Sequence, residues 1–116
     1  MLDENAEGWD TSNIGKALRL LEEILAYRPA DAAANHQAAK LALTTGANEV
    51  ALEYAQAAND FCPESAPIRL TLAKAMRRCG MREKAILKLN TAAALDPKNA
   101  EIQAELHELR RERRRT

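Results

Sequence analysis

Three of the four prolines stand at positions 29, 63 and 97, two intervals of 34 residues. Superposing the chain on them aligns the rest of it. Two residues before each proline is a large apolar side chain: Tyr27, Phe61 and Leu95. Five before are Ile24, Ala58 and Ala92; eight before, Leu21, Ala55 and Leu89; eleven before, Leu18, Leu52 and Ile86. Twelve before, alanine occurs each time, as Ala17, Ala51 and Ala85. Seventeen before come Ser12, Gly46 and Gly80, and twenty-four before, in the two full copies, Ala39 and Ala73. A fixed period of this length marks a repeat architecture, so the chain must be read in units and not as one continuous pattern.

The apolar columns recur three or four residues apart, which places them on one face of a helix. Each proline closes such a helix, and each glycine breaks the one before it, where a residue at positive φ is commonly needed. Asp31, Ser65 and Asn99 each follow a proline by two residues and are suited to cap the next helix. The predicted map is a helix over 13–26 with Ser12 as its cap, then pairs at 32–45 with 48–61 and at 66–79 with 82–95. Pro67 is tolerated in a first turn. A final helix covers 101–114. The first repeat lacks most of its leading helix, and residues 1–11 are too polar and too short to replace it fully, although Leu2 and Trp9 are expected to cover part of the apolar face of 13–26.

Composition agrees with an all-helical chain: charged residues make up 29%, aromatics 3%, and there are one valine and five isoleucines. With 116 residues there is room for one domain. Net charge is zero but unevenly placed: −4 over 1–31, −3 over 32–65, +6 over 66–99 and +1 over 100–116. A local basic field of this kind can steer an acidic partner towards an otherwise neutral protein. No apolar run approaches the roughly 18 residues that would cross a bilayer, and "MLDENAEGWD" has no secretory h-region. A cytoplasmic setting and no membrane association are expected.

The period and its columns resemble the tetratricopeptide repeat family. The residues carrying the likeness are Ala39 and Ala73, Gly46 and Gly80, Ala51 and Ala85, Ala58 and Ala92, and Pro63 and Pro97. Where that family usually places bulky aromatics, this chain has Asn35 and Arg69, Ala42 and Met76, and Asn48 and Arg82. The resemblance implies an all-α, right-handed solenoid of antiparallel helix pairs, with about six helices. The expected division is an N-terminal polar segment 1–11, a partial repeat 12–31, full repeats 32–65 and 66–99, and a capping helix 100–116. Such a unit is either a small module or a segment of a longer array.

By the same resemblance the first helix of each pair lines the concave face. The inward positions are then Ala33, His36, Gln37, Lys40 and Thr44 in one repeat, and Pro67, Leu70, Thr71, Lys74 and Arg78 in the next, with Arg77 beside them. Lys40 and Lys74 lie one period apart, and with Arg77 and Arg78 they form a basic strip suited to carboxylates. Some family members clamp C-terminal carboxylates with a set of lysines, asparagines and an arginine. Asparagine is absent beside Lys40 and Lys74, which argues against that clamp.

Other chemistry finds little support. Cys62 and Cys79 are separated by a helix about 20 Å long, beyond disulfide reach, so free structural thiols are expected. His36 and His107 have no companions at metal-ligand spacing, and no nucleophile–base pair or phosphate loop is present, so neither cofactor nor enzymatic activity is expected. The tail "ELRRERRRT" could be read as a nucleic-acid patch, but no aromatic residues are interleaved to stack bases. Glu108 with Arg111, and Glu112 with Arg115, can instead pair along the helix. The resulting expectation is a non-enzymatic interaction module that holds a protein or peptide segment, acidic in character, at His36, Gln37, Lys40, Thr44, Leu70, Thr71, Lys74, Arg77 and Arg78. The alternatives are a self-associating module that uses the under-covered face Ile14, Leu18, Leu21 and Leu25, and a basic RNA or lipid adaptor.

Overall fold

The computed structural model describes the backbone of residues 2–115 and the side chains of 13–114. Six helices follow one another: α1 (Leu2–Tyr27), α2 (Ala32–Thr45), α3 (Asn48–Phe61), α4 (Ala66–Arg78), α5 (Arg82–Leu95) and α6 (Ala100–Arg115). Three of the four predicted caps, Asp31, Ser65 and Asn99, form. Asp31 Oδ1 accepts the Ala34 N–H at 2.9 Å, Ser65 Oγ accepts that of Ile68 at 3.2 Å, and Asn99 Oδ1 accepts those of Glu101 and Ile102 at 2.9 and 3.1 Å. These bonds satisfy donors that the helix itself leaves unpaired.

The glycine turns also repeat in detail. Gly46 and Gly80 sit at φ 82° and 81°, and their N–H groups donate to Leu43 and Arg77. The next residues, Ala47 and Met81, donate to Ala42 and Met76 at 2.9 and 2.8 Å. This double bond pattern tucks the chain back under the helix end and sets the second helix of the pair antiparallel to the first.

The proline junctions have a feature that the sequence pattern does not announce. Asn35 and Arg69 stand 34 residues apart where an aromatic was expected by resemblance. Asn35 Nδ2 donates to the Pro29 carbonyl at 3.2 Å, and Arg69 Nε donates to that of Pro63 at 2.8 Å. Each bond closes its loop over the same interval, six residues back.

The structure departs from the expected map at the N-terminus. The first helix starts at Leu2 and not at Asn13, so Ser12 lies within it and not at its start. The expected cover by Leu2 and Trp9 concerns side chains outside the described residues. Ile14, Leu18, Leu21 and Leu25 are half-buried and not left open, while the large apolar side chains that α1 exposes are Leu20, Ile24 and Tyr27.

The helices stack as a two-layer solenoid, and the shortest molecular dimension of 25 Å corresponds to two helix diameters. Ala39, Ala51, Ala55, Ala58, Ala85 and Ala92 are fully buried at the crossings. Their small side chains let the backbones approach closely. Larger residues, Leu72, Leu89, Ile102 and Leu109, fill the remaining space. The apolar face of α6, formed by Ile102, Leu106 and Leu109, is turned entirely inward against the preceding pair.

Candidate functional site

The first helices of the repeats, α2 and α4, lie side by side, and α6 continues the row. One bond ties the first two together: His36 Nε2 lies 2.7 Å from Thr71 Oγ1. The Thr71 hydroxyl gives its proton to the Pro67 carbonyl at 3.1 Å, which leaves its lone pairs to accept the Nε2 proton. Burial, and secondarily the nearby Lys40 ammonium, hold the His36 imidazole below its ordinary pKa and favour this neutral form.

Next to that bond, Lys40, Leu43, Thr44, Thr71, Lys74 and Arg78 line a depression of about 260 Å³. A second depression of about 540 Å³ adjoins it, lined by Leu43, Lys74, Arg77, Arg78, Glu105 and Glu112. The shared residues make the two a continuous trough across α2, α4 and α6. Helical spacing along α2 and α4 aims these side chains the same way. Lys40 is exposed, and Thr44 is anchored by donating to the Lys40 carbonyl at 3.0 Å. Arg78 reaches across to the last turn of α2, where Nη1 approaches the Leu43 carbonyl at 3.4 Å.

The remaining expected residues are placed differently. Gln37 is exposed on α2 outside both depressions, and His36 is half-buried. Thr71 is 6% exposed and forms floor more than wall, and Leu70, also 6% exposed, packs into the core.

Part of the basic strip is already occupied by carboxylates of α6. Lys74 pairs with Glu101, and Arg77 is held by both Glu112 and Glu105, the latter at 3.2 Å. The hydrogen bond that Arg77 donates to Glu112 is the main reason its guanidinium is held still more firmly in its charged form, against the opposing effect of burial. Glu108 pairs with Arg111 at 3.0 Å, as the helical spacing predicts. Glu112 turns to Arg77, and the side chain of Arg115, its expected partner, lies outside the described residues. The glutamates of α6 were missed as site residues, although a signal exists: Glu101, Glu105 and Glu112 stand 34 residues after Pro67, Thr71 and Arg78.

Away from the trough, Cys62 and Cys79 are free, half-buried thiols that close α3 and α4. Burial, then the Glu49 carboxylate, push the Cys79 thiol up, keeping it protonated. Among the described residues no three histidine, cysteine or acidic side chains cluster, and no helix is long and apolar enough to cross a membrane.

No protein-family model matches the sequence, and no curated protein matches it. Solved structures do match the fold. The TPR domain of Arabidopsis OM64 superposes with a TM-score of 0.81 at 16% identity, over 94% of this chain and 90% of that one. The second TPR domain of human RPAP3, determined in complex with the HSP70 peptide SGPTIEEVD, gives 0.81 at 18% identity over 93% and 90%. MamA from Desulfovibrio magneticus RS-1 gives 0.83 at 20% identity, and there the aligned region spans 91% of this chain and 60% of the other. At such identities it is the architecture that is shared, and the architecture of this chain is that of the tetratricopeptide repeat solenoid.

Proposed function

We propose that the protein is a non-enzymatic interaction module that holds an acidic segment of a partner protein in the trough across α2 and α4. The observation that carries this reading is the convergence of Lys40, Lys74 and Arg78, from two successive repeats, on one depression beside the hydroxyls of Thr44 and Thr71. Ammonium and guanidinium groups that share a recess bind carboxylates by charge-assisted hydrogen bonds. Because Lys74 is paired with Glu101, Lys40 and Arg78 carry the contact, Arg77 flanks it, and His36, Gln37, Leu70 and Thr71 shape its surroundings. A preformed trough needs little ordering on binding. A neighbour of the same fold, RPAP3, was solved with a peptide ending in EEVD, which supports a peptide-holding role. The trough here lacks the asparagines of the carboxylate clamp, so a carboxylate-rich internal segment fits it better than a clamped C-terminus. A cytoplasmic setting and a protein partner, without nucleic acid or membrane, accompany this reading.

The test is titration of a labelled Glu/Asp-rich peptide, followed by fluorescence anisotropy at low and high salt. Lys40→Glu combined with Arg78→Glu is expected to weaken binding by about tenfold or more with the thermal midpoint unchanged. Equal binding by wild type and variant overturns the assignment.

A second reading, self-association, is favoured by the exposure of Leu20, Ile24 and Tyr27 on α1, at 61%, 43% and 89%. Clustered apolar exposure of this kind marks interfaces. Light scattering across a dilution series decides it, and a strict monomer throughout removes it.

A further inference from the structure

The opposite, outer side of the solenoid carries a second recess with different chemistry. It lies between α3 and α5, has a volume of about 480 Å³, and is lined by Leu52, Glu53, Gln56, Ala57, Asp60, Met76, Met81 and Lys84. Its floor is aliphatic and thioether: Met76 of α4 shows from below, and Leu52, Ala57 and Met81 are half-buried around it. Methionine is unbranched and polarizable, so a methionine floor adapts to varied apolar side chains.

The rim has a charge pattern. Glu49, Glu53, Gln56 and Asp60 recur at intervals of four, three and four along α3, which places them on one stripe of that helix. Among the described residues no cation pairs with Glu49, Glu53 or Asp60, and Asp60 accepts from the neutral amide of Gln56 at 3.0 Å. This contrasts with α6, where Glu101, Glu105, Glu108 and Glu112 all have cationic partners. On the neighbouring Tyr54, burial first and then the carboxylates of Glu22 and Glu53 push the phenol above its ordinary range. An apolar floor beside a row of unpaired carboxylates is complementary to an amphipathic segment whose apolar residues are flanked by cations.

We propose that this outer groove is a second docking surface, and that its occupant is a basic amphipathic helix of a partner protein. Apolar side chains of that helix rest on Met76 and Met81, its lysines or arginines face Glu53 and Asp60, and Lys84 on the far wall favours an acidic residue on the helix's other edge. The groove is thus opposite in sign to the inner trough, so the module can engage two partners of opposite charge on its two faces.

Two of the chain's three methionines lie in this groove, which makes the test direct. The full chain, carrying ¹³C-methyl methionine, is titrated with a synthetic Leu/Lys amphipathic helical peptide, with its Leu/Glu counterpart, and with a Lys-only peptide of equal charge. Saturable shifts of the Met76 and Met81 methyls are expected with the Leu/Lys peptide alone. Glu53→Lys with Asp60→Lys, both exposed positions, is expected to weaken that binding about tenfold with the circular dichroism unchanged, while Lys40→Glu with Arg78→Glu leaves it intact. Equal response to the Leu/Glu or Lys-only peptide, persistence in the Glu53/Asp60 variant, or no shift at all overturns the proposal. Concentration-dependent shifts without peptide also overturn it, by identifying a second copy as the occupant.

Discussion

Arg77 on α4 is gripped by Glu112 on α6, 35 residues further along the chain, and by Glu105 one face-repeat earlier on that same helix. The capping helix therefore does more than shield the core. It supplies internal carboxylates to the cationic strip that the proposed partner would otherwise meet, and it sets a competition between the chain's own acids and those of a ligand.

That competition leads to a first prediction. Glu105→Gln with Glu112→Gln releases Arg77 to the trough, and an acidic peptide is expected to bind several-fold more tightly in anisotropy titrations. The loss in stability should stay within about 1 kcal/mol, since partly exposed ion pairs contribute little. Weaker or unchanged peptide binding in the variant would show that Arg77 serves only to attach α6.

A second concerns pH. The folded state holds His36 below the ordinary imidazole value of 6.5, so between the folded and unfolded pKa values the unfolded chain binds the extra proton. The contribution is fully present above about pH 6.5 and is lost as pH falls through the lower, folded value. The thermal midpoint is expected to drop between about pH 7.5 and pH 5, and His36→Gln should flatten that slope. Parallel pH profiles for the two proteins would disprove the link to the His36–Thr71 bond.

Asn99 is both the cap of α6 and a donor to Asp96 Oδ2 at 3.2 Å. Urea unfolding of Asn99→Ala is expected to show a loss of about 1 kcal/mol, with Asn99→Asp retaining most of the stability because its carboxylate can still accept both N–H groups. An Asp variant as unstable as the Ala variant would assign the effect to the Asp96 contact.

The alanine crossings make a fourth case. Ala55 on α3 is fully buried, so Ala55→Leu must push helices apart and is expected to cost about 1–3 kcal/mol. Leu89→Ala, at the equivalent column of the next repeat, leaves a cavity and is expected to cost about 2–5 kcal/mol. Chemical denaturation distinguishes both from an exposed control such as Gln37→Ala.

Most of the helix map could be read in advance because its determinants are local. Asp31, Ser65 and Asn99 act on N–H groups two or three residues ahead, and each stands two residues after a proline that has already interrupted the preceding helix. Ser12 has no such proline before it, only Trp9, Asp10 and Thr11, and so the helix runs through it. The basic strip was legible as a register of Lys40, Lys74 and Arg78, but its neutralisation was not. The pairs Lys74–Glu101 and Arg77–Glu112 span 27 and 35 residues, and pattern reading along one helix assigned the α6 glutamates to their own neighbours. Leu70 was misplaced towards solvent for a related reason: the helix places it where α4 turns from trough to core, and only the packed neighbours decide which side it takes.

The loop closures at Pro29 and Pro63 have a consequence for how such a chain can change. An amide and a guanidinium, unlike in size and charge, fasten the same carbonyl at the same interval. The mounting point belongs to the backbone, and the side chain is an exchangeable bolt. A junction built this way can accept new chemistry at its surface while the pitch from one unit to the next stays fixed, which leaves the faces of the solenoid free to diversify without retuning its frame.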